Sequence, residues 1–238
     1  MCLSPQVDVV AGIGITVIAI DAIRQIKTGR MLMIGVLPAI FALHTFTSAF
    51  VWWGSDGTFN QTVFTYASNL FMFIAFVFFP IYVPIAVLLL EPPGWRRDAL
   101  LILSGAGIFS GVDYFIGLVG GNASAVACDY AINYQVADVS SVSGGLYIAA
   151  TCGSMLLSGY RPLFYWGIVN AVGVAALIFI SSQGLPSLWC FWAAITSWFV
   201  NWLLRRIDRE HAEGEPWPWE THPVPGKLPR HAKSNDSG

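Results

Sequence analysis

The sequence predicts an all-α fold: a polytopic transmembrane bundle of seven helices, with the N-terminus outside and the C-terminus cytoplasmic. Three observations lead there. The chain is 55% hydrophobic and only 11% charged over its 238 residues, with a mean hydropathy of +0.63, whereas a water-soluble domain carries roughly a quarter charged residues. The apolar residues come in blocks of about 20, each long enough to cross ~30 Å of hydrocarbon as a helix. All 12 Lys and Arg residues fall in alternate gaps between those blocks, and cytoplasmic loops retain basic residues while translocated short loops lack them.

Residues 1–6 are a short, uncharged extracytoplasmic N-terminus, too short for a secretory signal, so the first span is expected to be retained. The spans read 7–25, 31–53, 64–90, 99–119, 139–158, 162–181 and 187–206. Arg24, Lys27 and Arg30 lie between the first two, Arg96 and Arg97 between the third and fourth, and Arg161 between the fifth and sixth. The remaining basic residues run from Arg205 into the tail. The other gaps, 54–63, 120–138 and 182–186, hold Asp56, Asp129 and Asp138 but no base. Helices are required because each unpaired peptide group in lipid costs several kcal/mol, and the alternating ten-residue segments of an outer-membrane barrel are absent. Trp52, Trp53, Trp189 and Trp192 fall near the outer interface and Trp95, Trp166 and Trp202 near the inner one, where aromatic belts anchor a bundle.

Residues 207–238 change character. Glu210, Glu213 and Glu215 are followed by Pro216, Pro218, Pro223, Pro225 and Pro229 without apolar periodicity. Such a segment buries too little surface to offset chain entropy and reads as a disordered cytoplasmic tail, with Trp217 and Trp219 expected to touch the membrane surface. The domain plan is therefore 1–6, 7–206 and 207–238. No loop is long enough for a separate soluble domain, so function must reside in the bundle or on its rims.

Asp113 is the acidic residue placed well inside a span, and His44 comes out at the same depth, about 20 Å from the inner end of its helix at 1.5 Å per residue. A buried ionisable group is costly and faces protein or water rather than lipid. An acid and an imidazole at equal depth could share a proton; alternatively each is held by neighbouring hydroxyls, with Thr45, Thr47, Ser48, Ser110 and Tyr114 at hand. Asp8 and Asp21 end the first helix, and Asp21 is expected to pair with Arg24 one turn on. Pro80 and Pro84 each free a carbonyl one turn earlier, so the third span should be kinked or locally open, as in helices that line transporter sites. Gly105, Gly107 and Gly111, like Gly144, Gly145 and Gly153, read as close helix packing. The outer cysteines Cys2, Cys128 and Cys190 occupy an oxidising compartment, so a Cys2–Cys190 disulfide is feasible; no ligand spacing points to a metal. The seventh span has no Lys, which excludes a retinal Schiff base.

Four motifs together, Met1-Cys2-Leu3-Ser4, His44 before Ala49-Phe50-Val51-Trp52, Phe79-Pro80-Ile81-Tyr82-Val83-Pro84 with Glu91, and Ser187-Leu188-Trp189-Cys190-Phe191-Trp192, resemble a family of uncharacterised seven-helix bacterial membrane proteins, common in actinobacteria, whose members begin Met-Cys-Phe-Ser. Family members usually read His-Gln-x-x-Glu where this chain has His44-Thr45-Phe46-Thr47-Ser48, which withdraws support for metal or proton chemistry there. The match of Cys2 and Cys190 to the family pattern implies their pairing. The resemblance brings no activity with it.

Three functions compete. The favoured one is small-solute transport or membrane ligand binding in a cavity lined by the second, third, fourth and seventh helices, with His44, Asp113, Tyr114, Pro80 and Pro84 as candidate site residues. The alternative is an accessory or scaffold subunit of a larger respiratory or envelope assembly. A thiol-redox or metal-assisted enzyme using Cys2, His44 or Asp113 ranks last, because no nucleophile–base pair is visible. The expected partners are the lipid bilayer of the plasma or inner membrane, other membrane subunits and an unidentified small solute, with no nucleic acid, cofactor or metal.

Overall fold

The computed structural model describes residues 4–128, 131–180, 188–189, 192, 194 and 196–220. Among them are seven helices: α1 (Pro5–Arg24), α2 (Gly29–Ser55), α3 (Gln61–Leu90), α4 (Trp95–Val119), α5 (Ser141–Leu157), α6 (Arg161–Ile180) and α7 (Trp198–Ala212). Ser4 starts α1 by accepting the Val7 N–H at 3.3 Å, with Pro5 in the first turn where its missing N–H costs nothing. Asn60 starts α3 in the same way, its side chain accepting the Val63 N–H at 3.0 Å. Five helices, α1, α2, α3, α4 and α6, are long and apolar enough to cross a membrane.

The central helix is α2. Met31, Ile34, Leu37 and Val51 along it are fully buried, and it packs against α1, α3 and α7. The flanking helices turn large apolar side chains outward instead: Val10 is 71% exposed on α1, Ile102 74% on α4 and Phe179 91% on α6. Apolar faces of that extent are a liability in water and an asset in lipid.

The gap between α4 and α5 departs from the all-α expectation. Residues 120–138 contain an antiparallel hairpin, β1 (Ala123–Cys128) and β2 (Ala131–Val136), in register Ala125 to Tyr134 and Ala127 to Ile132. The physical reason is period-two patterning in Ala131-Ile132-Asn133-Tyr134-Gln135-Val136, which puts Ile132 and Tyr134 on one face. Both are buried, against Val51, Phe71 and Met72, so the hairpin packs onto that end of α2 and α3.

Two further expectations change. Asp21 pairs with α7 rather than with Arg24: its carboxylate accepts from Arg205 at 2.6 Å, Asn201 at 2.8 Å and Gln25 at 3.0 Å. The segment from residue 207 is packed as far as Glu220. Helix α7 continues to Ala212, Trp217 stacks on Trp219 with centroids 5.1 Å apart and on His211 at 3.7 Å, and Arg30 lies over Trp219. Two indoles supply enough apolar area to hold a polar segment down; Trp219 joins the core cluster beneath α2. Residues 221–238 of the expected tail lie outside the described residues.

Helix α3 is irregular. Residues Phe73–Phe78 form a π-helical turn, and the Phe79 N–H bonds to the Ile74 carbonyl. The next donor in that pattern would be the nitrogen of Pro80, which has no hydrogen, so the Ala75 carbonyl has no partner within its own helix. The Tyr147 hydroxyl of α5 supplies it, at 2.9 Å. One turn on, Pro84 likewise cannot serve the Pro80 carbonyl, and Gly107 of α4 packs directly against that oxygen. A methyl at Gly107 would overlap the carbonyl, and one at Gly111 would lie 2.8 Å from the Val77 oxygen, whereas Gly105 faces open space. Gly107→Ala is therefore expected to cost about 1–3 kcal/mol of overpacking and to lower the unfolding temperature in detergent, while Gly105→Ala leaves it unchanged; equal melting of the two variants contradicts this packing.

Candidate functional site

Behind the irregular part of α3 lies a cavity of about 50 Å³, several times the roughly 10–15 Å³ needed to hold one water. Leu37 and Phe41 of α2, Phe79 and Val83 of α3, Tyr147, Thr151, Cys152 and Met155 of α5, Trp166 and Asn170 of α6, and Trp189 form its wall. The position follows from the backbone. Residues Ala149–Gly153 of α5 form a second π-helical turn, and a π turn widens a helix locally and re-aims its side chains. The opening is thus built where two widened helices, α3 and α5, meet α2 and α6.

The wall is apolar with a few fixed polar atoms. Thr151 donates to the Tyr147 carbonyl at 2.8 Å, and the Asn170 amide nitrogen donates to the Trp166 carbonyl at 2.9 Å, so both hydroxyl and amide are oriented by their own helices. Trp166 is only 2% exposed and its indole N–H has no acceptor among the described residues. Buried indole N–H groups ordinarily find one. Cys152 is a buried free thiol in the same wall. Among the described residues no group of three or more His, Cys, Asp or Glu could hold a metal ion.

The sequence profile of the family of unknown function DUF6629 matches residues 1–214. The chain belongs to that family. No curated protein and no solved structure matches it.

In this DUF6629 member the residues singled out from sequence are distributed as follows. His44 is 1% exposed and stacks on Phe71 with centroids 4.0 Å apart, edge-on to Phe79 at 5.7 Å. Neither ring nitrogen has a partner among the described residues, nor do the buried Ser48 and Ser68 hydroxyls. His44 thus stands one layer behind the cavity, separated from it by Phe79. Asp113 is elsewhere: its carboxylate accepts from the Ser140 N–H at 3.1 Å and the Ser143 hydroxyl at 2.5 Å, holding the first turn of α5. Asp113 is held by Ser140 and Ser143, and no hydrogen bond joins it to His44. Tyr114 stacks on Phe76 at 5.0 Å. Pro80 and Pro84 act through the carbonyls they leave open, and Val83 beside Pro84 reaches the cavity. Cys2 and Cys190 lie outside the described residues.

The cavity involves the second, third, fifth and sixth helices and Trp189 of the expected seventh span, so the fourth helix of the expected set is replaced by the fifth and sixth. Trp166, expected at the inner interface, is instead inside the bundle. Sequence reasoning missed Tyr147, Thr151, Trp166 and Asn170 as a group. The signal for them was weak: Trp166 and Asn170 lie four residues apart, one face of a helix, but nothing local says that this face is inward.

An imidazole buried without a partner costs about 1–3 kcal/mol, more than the roughly 0.5–1.5 kcal/mol of ring stacking it contributes. His44→Leu, close in volume, is accordingly expected to melt at or slightly above the parent in detergent. A drop of several degrees would show that a bond to His44 has been lost.

Proposed function

We propose that the chain is a multi-pass protein of the plasma or inner membrane, crossing seven times with its N-terminus outside, that binds a small uncharged solute in the cavity between α2, α3, α5, α6 and the residues preceding α7. Binding is the step that a membrane receptor and a transporter share. The alternate-gap placement of every basic residue supports the orientation, and the outward apolar faces of α1, α4 and α6 support the lipid setting.

The observation that carries the reading is a largely apolar wall with a few polar members, one of them Trp166, whose indole N–H is unpaired among the described residues. Pockets for small ligands combine that apolar lining with a few placed polar groups that fix orientation. The wall carries no charged side chain, so an ion would have to shed its hydration without compensation; the guest is a neutral molecule of a few heavy atoms with an acceptor for Trp166. The double irregularity of α3 and α5 also gives the bundle a place to open, since helices interrupted near the midplane line the sites of many transporters.

Purified protein in lipid nanodiscs, screened by thermal unfolding against small neutral solutes of graded polarity, provides the check. A bound solute at one hundred times its dissociation constant should stabilise the fold by about 2.7 kcal/mol. Trp166→Phe should weaken that binding roughly fivefold by removing one hydrogen bond, and Val83→Phe should abolish it by filling the cavity. A panel that leaves the parent unmoved, or that stabilises the parent and Val83→Phe alike, would contradict the proposal.

A further inference from the structure

A second opening lies at the end of the bundle that carries the basic residues. It is a surface cleft of about 310 Å³ where α4 and α6 begin, lined by Trp95, Arg96, Ser158, Gly159, Arg161 and Phe164 together with the end of α5. Arg96 and Arg161 form no ion pair or hydrogen bond among the described residues; Arg96 only lies over the ring of Trp95, 5.4 Å from its centroid. Helix α4 opens at Gly94 without a side-chain cap, so its first amide N–H groups are open to an acceptor. Unpaired guanidiniums beside an uncapped helix start form an electrostatic setting for an anion.

The residues around the cleft keep those arginines available. The carboxylate that faces this end from below is Glu91, at the end of α3, only 2% exposed. Its oxygens are taken up by two residues of the cleft wall itself, the Ser158 hydroxyl at 2.9 Å and the Gly159 N–H at 3.0 and 3.1 Å, and Arg96 lies beside it at Gly159 without forming an ion pair. Arg97 turns the other way and donates to the Glu91 backbone carbonyl at 3.0 Å. Asp98, two residues beyond Arg96, does not share its face of the helix. Gly159 matters because a side chain there would collide with the Arg96 guanidinium; without one, the guanidinium rests against the loop at the mouth of the cleft. Trp95 and Phe164 at the rim are exposed apolar rings, the neighbours that a lipid tail requires and an inorganic anion does not.

We infer that this cleft seats a phosphate ester between Arg96 and Arg161, either the headgroup of an anionic phospholipid of the cytoplasmic leaflet or a soluble phosphate. The inference uses the membrane placement of this end and is independent of the solute cavity. A phosphodiester would take the two guanidiniums and the open amides of α4, while its acyl chains run along Phe164. Basic pockets between helices on the cytoplasmic side are the setting in which acidic headgroups are held.

The test uses the full chain, purified in mild detergent and exchanged into nanodiscs of phosphatidylcholine with a minor fraction of phosphatidylglycerol, with retained lipid measured by native mass spectrometry. Phosphatidylglycerol should be enriched over phosphatidylcholine in the parent, and enrichment should fall about fivefold for each of Arg96→Gln and Arg161→Gln. Arg205→Gln, at the same end but paired with Asp21, should retain the parental value and controls for general loss of charge. In pure phosphatidylcholine, inorganic phosphate should raise the unfolding temperature of the parent and not of the double variant if the soluble source is the physiological one. Lipid retention without charge preference, together with no response to phosphate, overturns the cleft while leaving the membrane reading intact. A chain that stays dispersed without lipid or detergent overturns the membrane reading itself.

Discussion

Low-dielectric surroundings tolerate neither an unpaired peptide group nor an unpaired charge, and the bundle is organised around that intolerance. Helix α3 contains two prolines that each withdraw a donor. The fold answers the first with a phenol from α5, the Tyr147 hydroxyl on the Ala75 carbonyl, and the second with the close approach of Gly107 to the Pro80 oxygen. A Cα–H···O contact of this kind is weak singly, but it needs a glycine and so fixes how α4 packs against α3. The end of the bundle that carries Glu91 repeats the pattern with side chains: Glu91 is buried only because a hydroxyl and an amide meet it, and Tyr160 donates to Glu210. Burial and the neighbouring Glu210 both push the Tyr160 phenol well above its ordinary range, so it remains a donor at any physiological pH.

The cavity is a consequence of the same repairs. A helix that widens to accommodate a proline no longer presents a regular surface, and α3 and α5 both widen near Tyr147. Side chains that would have interdigitated leave a space lined by Phe79, Val83 and Thr151, into whose wall Trp166 brings an indole N–H without an acceptor. His44 sits behind Phe79 in a shell of aromatic rings. Its own ring nitrogens are unpaired among the described residues, next to the part that has room for a guest.

Much of the helical plan was legible in the chain. The apolar blocks mark the helices to within about a turn at most ends, because in such a bundle hydropathy and helix length report the same physical requirement. The interrupted third span was legible from Pro80 and Pro84, although the π turn that absorbs Pro80 was not, since it depends on Tyr147 being in reach. Three features were masked by tertiary context. The hairpin at 123–136 has a period-two signal in its second strand, but six residues of alternation are easily read as loop between long helices. The packing of Trp217 and Trp219 depends on the start of α2 around Arg30, which the tail's composition does not reveal. The cavity escaped because it needs four or more helices placed side by side, and a tryptophan such as Trp166 reads the same in sequence whether it anchors a bundle at an interface or lines its interior.

The claim on which the account rests is that charge exclusion sorts the two ends of this bundle to opposite sides of a membrane. It is tested most directly with single cysteines placed at Gly57, Gly121, Lys27 and Ser234 in a cysteine-free background, reacted with a membrane-impermeant maleimide in intact cells. The account predicts labelling at Gly57→Cys and Gly121→Cys at once, and at Lys27→Cys and Ser234→Cys only after permeabilisation. Labelling of both sets from the same side would contradict it.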